Sequence, residues 1–371
     1  MGEPAWDPAD LEVRLCRALD IAKSSVALFA GDGYTDAEAP ETSFRPDKII
    51  AETAMLIYAA SAVAHRPKVA GRVEELARIL VPHARSKRTL LDIALHSSLC
   101  IDFAFPHILL SRLGYRDRGF DDFLRSCLAS RSRHGHERPP FAAAEKMWIE
   151  QLWTGEDPGP AWRRCMRDTV LYHPLDILGG TREDAYALTH LFMYCTDFGF
   201  RAPRLPRRRS VILNEAASQL ARCLDGEDYD LAGELILAWP LSGTPWPAAA
   251  AFGFRVLAYV EDQVGVLPGG TTHVGRLGKL EGDAKDRYAL GTAYHTAYVM
   301  GMICAVSLRP DRAPPTRMTG PRCDESLLDR LLNSIDRDQG HWQAELLKLK
   351  RSQQLALGPL LLDLAIAQKH R

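Results

Sequence analysis

The sequence predicts an all-α protein, a single domain over residues 1–371, folded as a closed ring of antiparallel helix pairs around a central cavity, an α/α toroid. Three observations predict it. Apolar residues recur at three- and four-residue spacing almost throughout, and alternation of period two is rare. The implied helices are long and joined mostly by short turns, which sets neighbours antiparallel. No composition shift marks a linker, and no repeat of the tetratricopeptide or HEAT kind divides the chain.

The spacing predicts helices over 8–30, 46–65, 69–83, 88–113, 119–130, 140–154, 183–199, 210–224, 228–239, 247–264, 284–308, 324–336, 341–355 and 358–369. Asp7-Pro8 sets a capping residue before a first-turn proline, and Arg45-Pro46-Asp47 opens the second helix. Breaks fall at Arg66-Pro67, Gly114, Gly179-Gly180, Gly199 and Arg309-Pro310, where continuing a helix is costly. Irregular stretches remain at 155–182, 265–283 and 309–323. The middle one, Gly265 to Gly282, is glycine-rich and too long for a simple connector, so it reads as a lid or binding loop.

Of 371 residues, 46% are hydrophobic and 25% charged, and the formal net charge is -1. That balance argues against a nucleic-acid or anionic-membrane partner. The acidic start, Met1 to Asp7, lacks the basic and apolar regions of a signal peptide, and no apolar stretch reads as long enough to span a bilayer. A cytoplasmic location is expected. The eight cysteines are scattered without a CxxC pair, which fits reduced thiols buried in helices.

The informative feature is a set of apolar helices carrying polar groups where core residues belong. Ser98 and Asp102 share a face of one. His190 and Asp197, seven apart, stack two turns apart on another, with Tyr186 and Tyr194 extending the stripe. On a third, Thr292 and His295 share one face, Tyr294 and Tyr298 a second. Buried ionisable groups without partners are expensive, so such stripes line something polar. If these helices are inner members of a ring, their polar groups converge on one cavity, where acid–base or substrate-orienting groups belong. Satisfied core polar groups are the competing explanation.

Arg201 to Ser210 places Arg207, Arg208 and Arg209 at the exit of the His190 helix, an arrangement suited to sulfate, phosphate or carboxylate, or to a solvated connector. Trp246 ends a rigid loop, Trp239 to Trp246, that walls a pocket or forms a packed corner. Asp197-Phe198-Gly199 lacks any kinase context, Gly275 to Lys279 lacks phosphate-loop spacing, and no G-x-S-x-G elbow occurs. Asp121-Asp122 lacks the third aspartate of a terpene-cyclase metal motif.

Tyr294-His295-Thr296-Ala297-Tyr298 resembles a stretch of protein prenyltransferase β-subunits, α/α toroids in which that histidine binds zinc. The aspartate–cysteine partner motif is missing here; Cys195-Thr196-Asp197 is its reverse, so a zinc site of Cys195, Asp197 and His295 is chemically admissible. Together the T-H-x6-T-D-F-G helix and the YHT helix resemble all-α proteins of actinobacterial natural-product clusters, which serve antibiotic biosynthesis. Within that group the resemblance points to the aziridine-forming proteins of azinomycin biosynthesis. It implies a cyclase that closes an aziridine by intramolecular displacement of sulfate from an amino acid held on an acidic carrier protein. A smaller partner subunit is implied, and no metal, nucleotide or redox cofactor. His190, Asp197, His295 and Asp102 would then be catalytic. Tyr186, Tyr194, Thr292, Tyr298, Trp246 and Arg207–Arg209 would bind substrate or guide an anion. A toroid that only binds or scaffolds an intermediate, or a cyclase of another kind, is the alternative.

Overall fold

Capping chemistry sets the helix starts that matter for the site. The Ser86 hydroxyl accepts from the Thr89 amide. Thr181 and Asp184 form a reciprocal capping box, and Asp228 accepts from Leu231. Each satisfies amides that a helix leaves unpaired at its first turn. The computed structural model describes residues 8–29, 46–129, 137–176, 180–203 and 205–316. Among them no strand occurs; the helices are α1 (Pro8–Phe29), α2 (Pro46–Ser61), α3 (Pro67–Ala84), α4 (Lys87–Leu95), α5 (Cys100–Arg112), α6 (Arg118–Ala129), α7 (Pro140–Thr154), α8 (Gly159–Met166), α9 (Arg182–Thr196), α10 (Arg209–Asp225), α11 (Tyr229–Ile236), α12 (Ala238–Ser242), α13 (Ala248–Val264), α14 (Val274–Leu277) and α15 (Gly282–Ser307). The expected helices over 324–336, 341–355 and 358–369 lie outside the described residues.

The expected helix over 88–113 is two helices bent by 111°, joined by a 3-10 turn at Ser97–Leu99. Paired serines compete locally for backbone hydrogen bonds, and that favours the turn over continuation. The helix expected over 183–199 ends at Thr196, because Asp197, Phe198 and Gly199 all adopt positive φ (50°, 50° and 79°). The glycine-rich stretch is a packed turn more than a free loop. Its Thr272 hydroxyl donates to the Thr292 carbonyl of α15 (3.1 Å), and its His273 amide donates to the Tyr288 hydroxyl (3.0 Å).

Helix contacts run α2 to α5, α5 to α7, α7 to α9, α9 to α11, α11 to α15 and α15 back to α2. The circuit closes on itself. Of the other long helices, α1 packs along α15, α2 and α3, and α13 against α10 and α11. Two glycines permit the closest approaches. A Cβ at Gly233 would stand 2.7 Å from Val299 Cγ1, and one at Gly301 would stand 2.6 Å from Ala18 Cβ. By length and composition α15 is apolar enough to cross a membrane, contrary to the expectation that no stretch is, but 83% of its apolar window is buried inside the protein. It is a core helix.

No disulfide joins the described cysteines. Burial pushes the Cys195 thiol up to about 12, which keeps it protonated.

Candidate functional site

Polar and aromatic side chains from the helices of the circuit meet at two levels. The deeper is a floor. Trp148 of α7 stacks on Tyr194 of α9 (5.1 Å between centroids), with Phe198 and Phe105 at 5.6 Å. Asp197 is its polar centre, accepting from Trp148 Nε1 (2.9 Å) and the Tyr58 hydroxyl (3.1 Å) on the same oxygen. Above it, toward the first turns of α2, α7 and α11, lies a cluster of carboxylates and histidines. Because Glu52, Glu145 and His190 meet on the upper level while Tyr58, Trp148 and Asp197 meet on the lower, α2, α7 and α9 run in the same direction.

His295 of α15 is held from both sides. Its Nδ1 is 2.6 Å from Asp230 Oδ1 of α11, and its Nε2 is 3.5 Å from Glu52 Oε1 of α2. Nδ1 donates to Asp230, while Nε2 is within ion-pair reach of Glu52 without a hydrogen bond to it, and the two flanking carboxylates favour the imidazolium. Burial alone would lower its pKa; the charges of Glu52 and Asp230 and the Asp230 hydrogen bond override it and hold the imidazolium well above the usual range. Burial likewise works to raise Asp230, and His295, Arg182 and Lys48 outweigh it, leaving that carboxyl below its ordinary value. One turn along α11, Glu234 is 3% exposed. Burial, and then the Asp230 charge, push it well above the carboxylate range. Its Oε2 accepts from the Thr189 hydroxyl at 2.6 Å.

His190 of α9 differs in kind. Its Nδ1 lies 3.0 Å from the Tyr186 carbonyl, which only accepts, so the proton is on Nδ1 and Nε2 is left as an acceptor. Burial drives its pKa down to about 4, so the ring is neutral. Tyr186 packs against it at 3.8 Å. The Tyr194 hydroxyl donates to Glu145 Oε1 of α7 at 2.7 Å, and burial raises that carboxyl. Asp102 stands at the edge of the cluster, held by both terminal nitrogens of Arg138 (2.8 and 2.6 Å). Deep as these groups are, the side chains of His190 and His295 keep 12% and 25% of their surface open to water.

The ends of α9 and α11 are locked together beside the cluster, since Arg182 reaches both oxygens of Asp228, the α11 cap (2.7 and 3.3 Å). A separate groove of about 1010 Å³ lies between α1, α3 and α15 and includes neither histidine. Within its charged lining Arg72 is paired with Asp20 (2.8 Å).

The structure therefore brings together His190, His295, Tyr186 and Tyr194, with Asp102 at the edge. It sets the other expected residues elsewhere. Asp197 does not share a face with His190, because the helix has ended and its left-handed backbone turns the carboxylate into the floor. The admissible zinc set of Cys195, Asp197 and His295 is not assembled; among the described residues Asp230, Glu234 and His295 are the group whose ligand atoms lie within 4.8 Å of one another. Thr292 donates to its own helix, at the Tyr288 carbonyl (2.8 Å). The Tyr298 hydroxyl pairs with Thr53 (2.9 Å) in the core.

Trp246 forms a packed corner, donating to the Arg312 carbonyl (2.9 Å). The arginine run does not serve the cluster. Arg207 is spent on Glu215 (2.6 Å) and the Leu171 carbonyl (2.8 Å), Arg209 reaches the Ser242 carbonyl (3.2 Å), and Arg208 is the exposed residue before α10. Sequence reasoning missed Glu52, Glu145, Asp230 and Glu234. Their signal was a carboxylate inside an apolar run, as in Leu231-Ala232-Gly233-Glu234-Leu235-Ile236.

Neither a curated protein nor a solved structure matches the chain. A family model described as a domain of unknown function, DUF6895, matches residues 15–305, which takes in every residue of the carboxylate–histidine cluster. The chain belongs to the DUF6895 family.

Proposed function

We propose that this protein is an enzyme whose helix circuit is the inner ring of an α/α toroid, and that the carboxylate–histidine cluster at its centre is the active site. The observation that carries the reading is the convergence of Glu52, Glu145, His190, Asp230, Glu234 and His295, from different helices of one closed circuit, on a deep place that water still reaches. Buried charge on that scale is costly unless it is used or compensated. An acidic centre selects a substrate with a basic nitrogen, so the reaction class is acid–base chemistry at an amine. The ring closure suggested by the sequence resemblance fits this class. In that reaction the neutral amine's lone pair forms the C–N bond, and the C–O bond to sulfate breaks with its electron pair leaving on sulfate. The proton released from nitrogen passes to His190 Nε2. Tyr186 and Glu145 orient the chain for in-line attack, and orientation of this kind supplies much of the rate. The acidic carrier protein and the smaller subunit belong to the same proposal. The arginine run adds no support to them, since two of its members are bound internally.

Incubating the protein and its partner subunit with a sulfated, carrier-bound amino acid, followed by intact mass spectrometry, tests it. Wild type is expected to remove the elements of sulfuric acid, and His190→Ala to slow this by about 100-fold or more. If His190→Ala, Glu145→Gln and His295→Ala all retain full turnover, the catalytic reading falls and a toroid that only binds is left.

A further inference from the structure

The ring centre draws carboxyl groups of α2 and α11 onto one side chain of α15. Asp230, Glu234 and Glu52 face a single imidazole, His295. Lys48 stands 3.6 Å from Glu52, and Arg182 is 3.8 Å from Asp230 while committed to Asp228. Asp230 and Glu234 are four apart on α11 and project from one face, so they meet His295 from α15 as a pair.

Two further atoms are left without partners. Glu52 Oε2 is buried and unbonded. Tyr294 is 3% exposed, and its hydroxyl has the Glu52 carboxylate as its polar neighbour, close enough to act on it but not in good hydrogen-bonding geometry. Orphaned buried polar atoms in a native protein mark a water, ion or ligand that satisfies them.

We propose that Asp230, Glu234 and His295 bind one divalent first-row transition-metal ion, with Glu52 and Tyr294 completing or steadying its coordination sphere. Ligand atoms within 4.8 Å of one another draw in to about 3.0–3.4 Å around an ion bonded at about 2.1 Å, and His295 gives up the proton it shares with Asp230 as the ion enters. The donors are carboxylate oxygen and imidazole nitrogen, with no thiolate. That set takes manganese, iron or zinc; imidazole disfavours magnesium and calcium. His190 is the neighbouring second histidine, its Nδ1 3.4 Å from Glu234 Oε2 but with its proton given to the Tyr186 carbonyl, so it flanks that carboxyl without ligating. The ion also supplies what the proposed displacement lacks. Departing sulfate is anionic, and the site holds no uncommitted arginine to receive it. The metal proposal rests on the ring centre being a working site, and its test does not require the reaction to be known.

The full chain, stripped with chelator and dialysed, is titrated with Co²⁺ while d–d absorption is followed, and with Zn²⁺ and Mn²⁺ by calorimetry. One equivalent is expected to bind saturably. Asp230→Asn, Glu234→Gln and His295→Asn should each weaken binding 10- to 100-fold or more, Tyr294→Phe by less, and Asp197→Asn not at all. Thermal unfolding of the metal-free variants separates a lost ligand from a lost fold, and the near-isosteric replacements keep the shape of the site. Absence of saturable binding overturns the metal site, as does binding that Glu234→Gln and His295→Asn leave unchanged. Stoichiometric binding without turnover would sink the proposed reaction and leave the metal standing; full turnover in chelated protein without binding would do the reverse.

Discussion

Asp197 and His190 share a helix and one stripe in the sequence, yet their tests should give opposite results. Asp197 holds two donors of the aromatic floor, Trp148 Nε1 and the Tyr58 hydroxyl. Removing a buried acceptor strands both, at roughly 1–3 kcal/mol for each. Asp197→Ala is therefore expected to lower stability by about 3 kcal/mol in urea titration, while the folded fraction keeps its turnover. Asp197→Asn keeps an acceptor and tolerates the left-handed backbone, so its loss should be about 1 kcal/mol. A turnover loss in Asp197→Asn matching that of His190→Ala would contradict this division. The sequence made His190, His295, Tyr186 and Tyr194 legible because polar groups on apolar helices stand out. It did not show that the αL turn removes Asp197 from the stripe, because seven-residue spacing implies a shared face only while the helix lasts. Glu52, Glu145 and Glu234 passed unnoticed, since one glutamate in an apolar run looks like any solvent-facing position until the neighbouring helix is placed.

At the scale of elements, the closeness of α15 to its neighbours is set by missing side chains. Gly301→Ala would put a methyl 2.6 Å from Ala18 Cβ and 2.9 Å from Leu56 Cδ1, pressing α15 off α1 and α2. Ala18 Cβ is fixed to backbone and cannot yield. Overpacking of this kind costs about 1–3 kcal/mol, and the helix-propensity gain of alanine, about 1 kcal/mol, offsets only part of it. A net fall in urea midpoint is expected, with weaker ligand binding because His295 moves with α15. Periodicity read most helix cores to within a few residues. It merged α4 with α5, because apolar spacing continues through Leu95 to Ile101 and does not register a 111° bend.

For the whole molecule, His107 of α5 sets an acid limit. It is fully buried, accepts from Arg85 Nε at Nδ1 (3.0 Å), and meets Asp121 at Nε2 (3.2 Å). Burial, with Arg85 facing it and only partly offset by Asp121 and Asp117, lowers its pKa below 6.5. The unfolded chain then binds the proton more tightly than the native one. Stability from this group is complete above about 6.5 and is lost as pH falls from there toward the lowered native pKa. The unfolding free energy from urea titration should drop between pH 7 and pH 5, by about 1.4 kcal/mol for each pH unit by which the native pKa lies below the unfolded one. The drop should shrink in His107→Gln; an equal drop in that variant would assign the effect to other groups. The all-helical class was legible from periodicity alone. The order of contacts was not, because which helix lies inside depends on pairings between segments far apart in the chain.

The closing contact between α15 and α2 has a consequence for how the protein comes into being. Glu52 and His295 are separated by most of the sequence, and the circuit stays open until residues 282–307 dock. During translation, helices α2 to α13 emerge before α15, and until it follows the cluster lacks both His295 and the helix that carries it. A chain that ends before α15 therefore cannot assemble the cluster, which is completed in one late step, when α15 leaves the ribosome and seats itself.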